Sequence, residues 1–434
     1  MKTSRGTSSM FGSFRFLRGN LLVLTVSGSL GMFCRAMVFP YVPLYILSLG
    51  GDAEEVGFVY AMGPLAGLLV FPLGGYLADR LHRPRMIAFT GYLQAACLLI
   101  NVLAPSWEWI AAAMLLNGFA AFQFPASSAL LADSIPPQNR GRGMATMAAL
   151  SGTVALAAPW VAGRALDLQG VDTGMRILYA VMAAAYATGA TVNLVFMRET
   201  REPLAESVSL RSLSQSLKSA YGEIPAMLRG FGTQLRALSV VLILCFVINA
   251  TAGPFWVIQA KQQIGLTSSQ WGLILLVETA VRNLATVPAG FLCDRRGRTP
   301  FIFAALLVST VTIAFLFVEN FHQALVLRCV MGIAAAFFSP AASALLADSI
   351  PSHMRGRVMA AIGRGSLVIG GTSGGVGGPG VGFLITVPLM LSALSGGLLY
   401  AWNPSAVWIF SLSLTLVALG VTAGWVRDPR NAAD

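Results

Sequence analysis

The sequence predicts an all-α membrane protein, with twelve transmembrane helices arranged as two pseudo-symmetric bundles of six. Three observations predict it. The first is a repeat: ALLADSIP stands at Ala129 to Pro136 and again at Ala344 to Pro351 (344 − 129 = 215). The flanking Pro125, Ala126, Ser128, Arg140, Gly141 and Arg142 recur at the same offset as Pro340, Ala341, Ser343, Arg355, Gly356 and Arg357. The chain of 434 residues is therefore close to two copies of one unit. The second is composition: charged residues make up 11 % and apolar ones 56 %, with a mean hydropathy of +0.72, whereas a soluble domain carries roughly a quarter charged residues. The third is that each copy holds six apolar stretches of the roughly 20 residues that cross a bilayer as a helix.

The tail 1–19 carries Lys2, Arg5, Arg15 and Arg18, no acid, and no small-residue cleavage site after a short apolar core, so it reads as a cytoplasmic tail and not a removed leader. Spans near 20–47, 55–78, 86–104, 109–132, 143–165 and 174–197 form the first bundle, 20–197. The linker 198–237 is polar. In it Leu210, Leu213, Leu217 and Tyr221 recur at helical spacing with Arg211 and Lys218 between them, the pattern of a helix lying along the membrane surface; a disordered tether is the other reading. Spans near 238–260, 270–293, 299–318, 322–347, one within 358–400, and 405–426 form the second bundle, 238–426, before the tail 427–434. The eleventh span departs from the repeat by an insertion, IGGTSGGVGGPGVG, too rich in glycine for an uninterrupted lipid-facing helix. Either a surface helix over 358–369 and a glycine loop precede a span near 381–400, or the span is broken. The stretch has no GK[ST] ending and no strand before it, which argues against a phosphate-binding loop.

Charge sets the orientation. Twenty-nine Lys and Arg against 18 Asp and Glu give a net +11, and the bases fall in alternate loops: Arg80, Arg83 and Arg85 after span 2, Arg140 and Arg142 after span 4, Arg295, Arg296, Arg298, Arg355 and Arg357 in the second copy. The loop after span 1, GDAEEV, holds only Asp52, Glu54 and Glu55. Both termini are thus expected in the cytoplasm of a plasma or inner membrane protein. The loop after span 5, with Arg164 and Arg176 against Asp167 and Asp172, is the least tidy exception. No basic patch interleaved with aromatics points to nucleic acid. Cys34, Cys97, Cys245, Cys293 and Cys329 stand singly without metal-ligand spacing and read as small buried hydrophobes; neither metal nor cofactor is expected.

The base-rich loops are themselves duplicated. GGYLADRLHRPR after span 2 returns as GFLCDRRGRTP after span 8, so that Gly75, Leu77, Asp79, Arg80 and Arg83 match Gly290, Leu292, Asp294, Arg295 and Arg298. This resembles the motif G-x-L-x-D-R-x-G-R-[KR] of the major facilitator superfamily, and with the repeat, the span count and the charge asymmetry the resemblance covers the whole chain. His82 and Pro84 replace a Gly and a base in the first copy; Gly297 is kept in the second. The resemblance implies the two-bundle fold with its site between the halves, and a cytoplasmic gate. In that gate the motif Asp sits against the N-terminal end of a helix in the other half, where free amides favour an anion. Asp294 would face the start of span 5 near Gly143, and Asp79 the start of span 11. Asp133 and Asp348 would form a charge network within each half with the loop arginines and with Arg142 and Arg357. The plainer reading is solvated charges that set topology.

Charges inside spans cost several kcal/mol unless paired or facing water, so each is a candidate site. Arg35 falls near the middle of span 1, Arg328 nearer the outer end of span 10, and Glu278 about 12 Å from the outer end of span 8. Arg282, four residues on, shares the face of Glu278. Their first-half equivalents are Gly63 and Gly67, small residues that suit close helix packing, so the charges are not part of the duplicated scaffold. Glu278 and Arg282 either neutralise each other or leave Glu278 as a protonatable group tuned by Arg35 or Arg282. Asn117, Gln123, Asn249 and Asn283 could add neutral hydrogen bonds, with Tyr41, Phe255 and Trp256 as apolar walls.

The expected function is secondary active transport of a small molecule by alternating access in the lipid bilayer, as proton-coupled efflux of amphipathic compounds by a monomer. Span 1, with Arg35, Pro40 and Pro43, looks like the drug-efflux groups. AAAMLLNGFAA in span 4 lacks the arginine many antiporters carry, and Ala158, Pro159, Ala162 and Gly163 are a weakened antiporter glycine motif. Transport of an anionic metabolite is the alternative, on three intramembrane arginines against one glutamate. A non-transporting sensor on the same scaffold is the alternative of another class. No nucleophile with a base, paired catalytic carboxylates or metal cluster suggests an enzyme.

Overall fold

The computed structural model describes residues 19–135, 140–200, 217–219, 221–222, 224–350 and 382–428. Its secondary structure among these residues is helical, in twelve spans. In the first half they are α1 (Asn20–Ser48), α2 (Ala53–Arg80), α3 (Arg83–Leu103), α4 (Trp107–Phe119 continued by Gln123–Ser134), α5 (Arg140–Ala155 continued by Ala158–Gln169) and α6 (Val171–Phe196). In the second half they are α7 (Thr233–Gln262), α8 (Ser268–Arg296), α9 (Thr299–Phe317), α10 (Phe321–Ser349), α11 (Phe383–Trp402) and α12 (Pro404–Trp425). A short helix, Ile224–Arg229, precedes α7. Of the linker expectation, Leu217, Lys218 and Tyr221 fall in helical residues, while Leu210, Arg211 and Leu213 lie outside the described residues. So do the expected surface helix over 358–369 and the glycine insertion.

The helix starts follow from capping chemistry. Asp52 accepts a hydrogen bond from the Glu54 amide at 2.9 Å while Glu55 accepts one from the Asp52 amide at 3.0 Å, a capping box that opens α2. Thr267 and Gln270 open its counterpart α8 in the same way, at 3.2 and 2.9 Å. Asn320 and Asn403 cap α10 and α12. The two copies of the motif turn differ as their residues dictate. Gly297 takes φ +90 after α8, whereas Leu81 and His82 keep negative φ and extended ψ after α2.

Each half packs internally along corresponding pairs: α2 on α4 and α1 on α6 in the first, α8 on α10 and α7 on α12 in the second. Where α8 carries Glu278, the first half has Gly63. A Cβ on Gly118 of α4 would lie 2.9 Å from the Gly63 carbonyl oxygen and 2.5 Å from Ala66 Cβ. Small residues, Gly63 and Ala66 facing Gly118, thus bring α2 and α4 together.

Among the described residues three helix pairs join the halves: α2 with α11, α5 with α8, and α1 with α7. The buried apolar residues show where. One core contains Met37, Tyr41, Val56, Ala158 and Ala162 of the first half together with Phe255, Trp256, Trp271, Leu275 and Trp408 of the second. At the arginine-rich end the apolar cores of the described residues fall in two separate groups. Leu24, Met86, Ile87, Ala126, Leu130 and Met197 belong to the first half alone, and Leu238, Ile302, Phe338, Leu345 and Val426 to a core of the second half alone. The halves therefore share a core at the end opposite the motif arginines.

Candidate functional site

At the arginine-rich end the gate candidates form two matched clusters. Arg83, the first residue of α3, donates from Nη1 to Asp133 at the end of α4 at 2.8 Å, and its amide donates to the Glu199 carboxylate at 2.7 Å. In the second half Arg298, just ahead of α9, donates to Asp348 at the end of α10, and its amide donates to Asp428 at 2.7 Å. Both arginine side chains are 7 % exposed. A second pair of ties repeats the pattern. Asn20 of α1 donates to Ser134 at 3.2 Å and the Arg198 carbonyl at 2.7 Å, and Gln234 of α7 donates to Ser349 at 3.4 Å and the Arg427 carbonyl. Arginine with a carboxylate is the strong, geometrically defined form of this interaction. Among the described residues these bonds stay within each half and run through Arg83 and Arg298.

The other gate candidates are less confined. Arg80 stacks on the Tyr76 ring at 3.9 Å, Arg295 is exposed, and Asp294 is exposed with an oxygen 3.8 Å from Arg298 Nη2. The side chains of Asp79 and Arg142, and Arg357 as a whole, lie outside the described residues. Glu199 and Asp428 were not anticipated. Their signal was legible, because each follows an arginine just past the last span of its half, as Arg198-Glu199 and Arg427-Asp428.

The intramembrane charges correct the sequence reading. The ion-pair partner of Glu278 among the described residues is Arg328 on α10, and Arg282 is not in that pair. Arg328 Nη2 and Nε donate to one Glu278 oxygen at 2.6 and 3.0 Å, with side chains 0 % and 4 % exposed. The Arg328 guanidinium also sits 4.5 Å from the Trp256 ring centre and 5.9 Å from that of Trp271, cation–π contacts that offset part of its desolvation. Trp256 in turn packs on Phe315 and Trp408, each with centroids 4.5 Å away, and Trp408 donates to Gln259. The pair therefore lies inside the second bundle, beneath an aromatic roof. Four-residue spacing reports neighbours on one helix only, and Arg328 stands on another. The usable signal was a shared departure from the repeat: at the positions equivalent to 278 and 328 the first copy has Gly63 and Ala113, so both charges appear together in the second copy.

Arg35 is half-buried, 5.0 Å over the Phe39 ring and beside the Tyr186 hydroxyl. Gln123 donates to Gln94 at 2.8 Å within the first half, and Asn249 donates to the Cys245 carbonyl of its own helix at 2.9 Å. Asn117 and Arg282 are half-buried, Asn283 is exposed and Trp256 is buried.

The contacts that cross between halves stand at the opposite end. Asp167, near the end of α5, accepts from the Ser268 and Ser269 amides at 2.9 Å each, so its carboxylate covers the first two free amides of α8. Tyr41 of α1 donates to the Pro159 carbonyl at 2.7 Å and is 3.0 Å from the Ser268 carbonyl; its hydroxyl, and not only its expected apolar ring, holds the seam. Two glycines let the backbones meet: a Cβ on Gly163 would lie 2.3 Å from the Ser268 oxygen, and one on Gly272 2.3 Å from the Pro159 oxygen. Asp167, which looked like an untidy topology charge, is thus the cap that one half places on a helix of the other.

The comparisons with known proteins agree with this architecture. The family model described as Major Facilitator Superfamily matches residues 24–252 and 238–434. The chain is 27 % identical over 332 residues to a multidrug resistance protein MdtG of Enterobacter lignolyticus, covering 74 % of this chain and 76 % of that one. It is 25 % identical over 336 residues to a multi-drug resistance efflux pump PmrA homolog of Lactococcus lactis, covering 75 % and 79 %. Among solved structures it resembles a mutant of the nucleoside transporter NupG with a TM-score of 0.68 at 16 % identity, covering 93 % and 99 %. It also resembles a bacterial homologue of the human lysosomal transporter Spinster, inward-facing and occupied, with a TM-score of 0.67 at 14 % identity, covering 93 % and 95 %.

Two outcomes are expected. Removing one member of a buried pair leaves the other charge uncompensated, which costs about 3–5 kcal/mol. Glu278→Gln and Arg328→Gln should each lower the melting temperature in detergent more than the double variant does; additive losses would contradict the pairing. Gly272→Val should hold α5 and α8 apart, raising labelling by an impermeant maleimide of a cysteine placed at the buried Ala162. Unchanged labelling in a folded variant would contradict a seam that depends on backbone contact.

Proposed function

The chain belongs to the major facilitator superfamily and is a multi-pass membrane transporter, and on that premise we propose that it exports amphipathic compounds by alternating access, driven by protons. The arginine-rich end is assigned to the cytoplasm on the asymmetry of its bases. The observation that carries the reading is the one-sidedness of the cores among the described residues: the halves share apolar packing at the end opposite the arginines and fall in separate cores at the arginine end. Such an arrangement suits a state that admits substrate from the cytoplasm between two rigid bodies. Rocking them apart at the far end would release the Asp167 and Tyr41 bonds, the α5–α8, α2–α11 and α1–α7 contacts and the shared apolar core. The relatives named for multidrug resistance and efflux, each matched over about three quarters of both chains, support export of drug-like compounds.

Coupling is assigned to Glu278. A proton on its carboxylate cancels the charge that holds Arg328, and so loosens α8 from α10. The same helix carries Gly272 and Ser268 into the seam with α5, about 9 Å and about 15 Å from Glu278 along the axis. Loading a proton and opening the far end thus act on one element.

A second reading has its own observation. With Glu278 neutralised by Arg328, the half-buried Arg35 and Arg282 remain as intramembrane cations with no carboxylate partner among the described residues, which suits an organic anion.

Proteoliposomes under an imposed pH gradient test both. Uphill movement of ethidium that collapses with a protonophore, and that Glu278→Gln abolishes while downhill exchange survives, is the expected result. Gradient-driven movement of dicarboxylates and not of ethidium would replace efflux by the second reading. Uphill ethidium transport at the wild-type rate in Glu278→Gln would remove the coupling role.

A further inference from the structure

We propose that Arg328 and Trp271 form a site for a small monovalent anion, occupied when Glu278 takes up a proton. This rests on the coupling role given to Glu278 and adds what that role leaves open, the fate of the arginine once its partner is neutral. A guanidinium that loses its carboxylate inside a bundle is an uncompensated buried charge and costs several kcal/mol. A proton on Glu278 alone would leave the pair with a net positive charge. A proton and an anion taken up together leave it neutral.

The donors for that anion are in place. Arg328 uses Nε and Nη2 on one oxygen of Glu278, while its Nη1 has no hydrogen-bond partner among the described residues. The indole N–H of Trp271 has none either. The two side chains are 0 % and 2 % exposed and belong to one cluster, with the guanidinium 5.9 Å from the Trp271 ring centre. Buried donors are nearly always paired, so two orphans beside one cation point to an acceptor from outside the chain. Trp256, 4.5 Å from the guanidinium, and Phe315, 6.4 Å from Trp271, supply apolar surface, and in such surroundings a charge-assisted hydrogen bond is stronger than in water. One positive charge and two donors suit an anion of single charge. Chloride fits, and so does the carboxylate of a small organic acid.

The duplication sets this site apart from the scaffold. At the offset of 215 residues (344 − 129) the first copy holds Val56, Gly63 and Ala113 where the second has Trp271, Glu278 and Arg328. The two donors and the acid are present together in one copy and absent together from the other, as parts of one site would be. The neighbouring helices bring few other charges. On α10, Cys329 lies near both members of the pair. On α8, Arg282 stands one turn beyond Glu278, and an added Cβ on Gly332 of α10 would lie 3.1 Å from Glu278 Cγ and 3.8 Å from Arg282 Cβ. Helix α5 brings Asp167, and α7 brings Lys261, to Ser268, about 15 Å from Glu278; α9 has no charged residue. Among these groups Glu278 is the acid bonded to Arg328, so its protonation controls the site.

The test follows thermal unfolding of the full chain in detergent and sodium gluconate, with chloride or acetate exchanged in at constant ionic strength. Glu278→Gln stands for the protonated acid, so one or both anions should raise its melting temperature at neutral pH by about 2 °C or more, and the wild-type chain by less than half as much. Chloride acting alone assigns the site to a free ion, and acetate acting alone to a carboxylate ligand. In the Glu278→Gln background, Trp271→Phe keeps a ring but removes the donor and should weaken the apparent anion affinity about fivefold; Arg328→Gln should abolish the response. No response in Glu278→Gln, or one that survives both added substitutions, would overturn the site. Where Glu278→Gln fails to fold, wild type and Trp271→Phe are compared across pH. The wild-type response should then grow as pH falls and be weaker in the variant; a response independent of pH would overturn the proposal. No step requires transport, so the premises separate. An anion response with no proton-driven ethidium movement keeps the site and removes the coupling reading, and the reverse keeps coupling and removes the site.

Discussion

A charge taken out of water at the end of a bundle needs a partner close by, and this chain meets that constraint twice with one device. Arg83 and Arg298 each tie the start of the third helix of their half to the end of the fourth and, through the backbone amide, to an acid beyond the sixth. Asn20 and Gln234 bring the first helix into the same knot. Four of six helix ends are thereby locked in each half by groups that neither lipid nor water can replace at equal strength. Relative motion is left to the surface between the halves, where hydrogen bonds are few and glycines bring backbone against backbone.

The second half carries an extra burden in the Glu278–Arg328 pair. A buried ion pair is poor value as stabilisation, since hydrophobic residues of like volume often do as well. The first half holds together without such a pair, with the small Gly63 and Ala113 in the same places. The difference between the copies therefore marks the pair as a departure from the scaffold. Its placement on α8, the helix whose first amides are capped by Asp167 of the other half, joins the membrane interior to the seam through one rigid rod.

The fold was legible because its causes are periodic: span length, alternate charge and a repeat of 215 positions (344 − 129). The arginine-rich clusters were legible in outline because bases and acids were duplicated together. What escaped was set by contact between distant segments. Arg328 reaches Glu278 from another helix, and four-residue spacing pointed to Arg282 instead. Asp167 matters only because α8 happens to start beneath it, and nothing in GRALDLQG marks an acid as a cap for a helix in the other half. Tyr221 showed its helical spacing in the sequence, but a partner of its hydroxyl is the Leu68 carbonyl, and backbone acceptors leave no residue-type signal.

The central claim is that two internally clamped halves move against each other as rigid bodies. Spin-label distances by pulsed electron resonance test it most directly, using one pair within the first half, at Arg85 and Phe196, and one across the arginine-rich mouth, at Arg85 and Arg296. The account predicts a single narrow within-half distance at every pH, with and without substrate. The cross-mouth pair should divide between a long and a short distance whose proportions change with those conditions. A within-half distance that spreads or shifts along with the cross-mouth pair would contradict it.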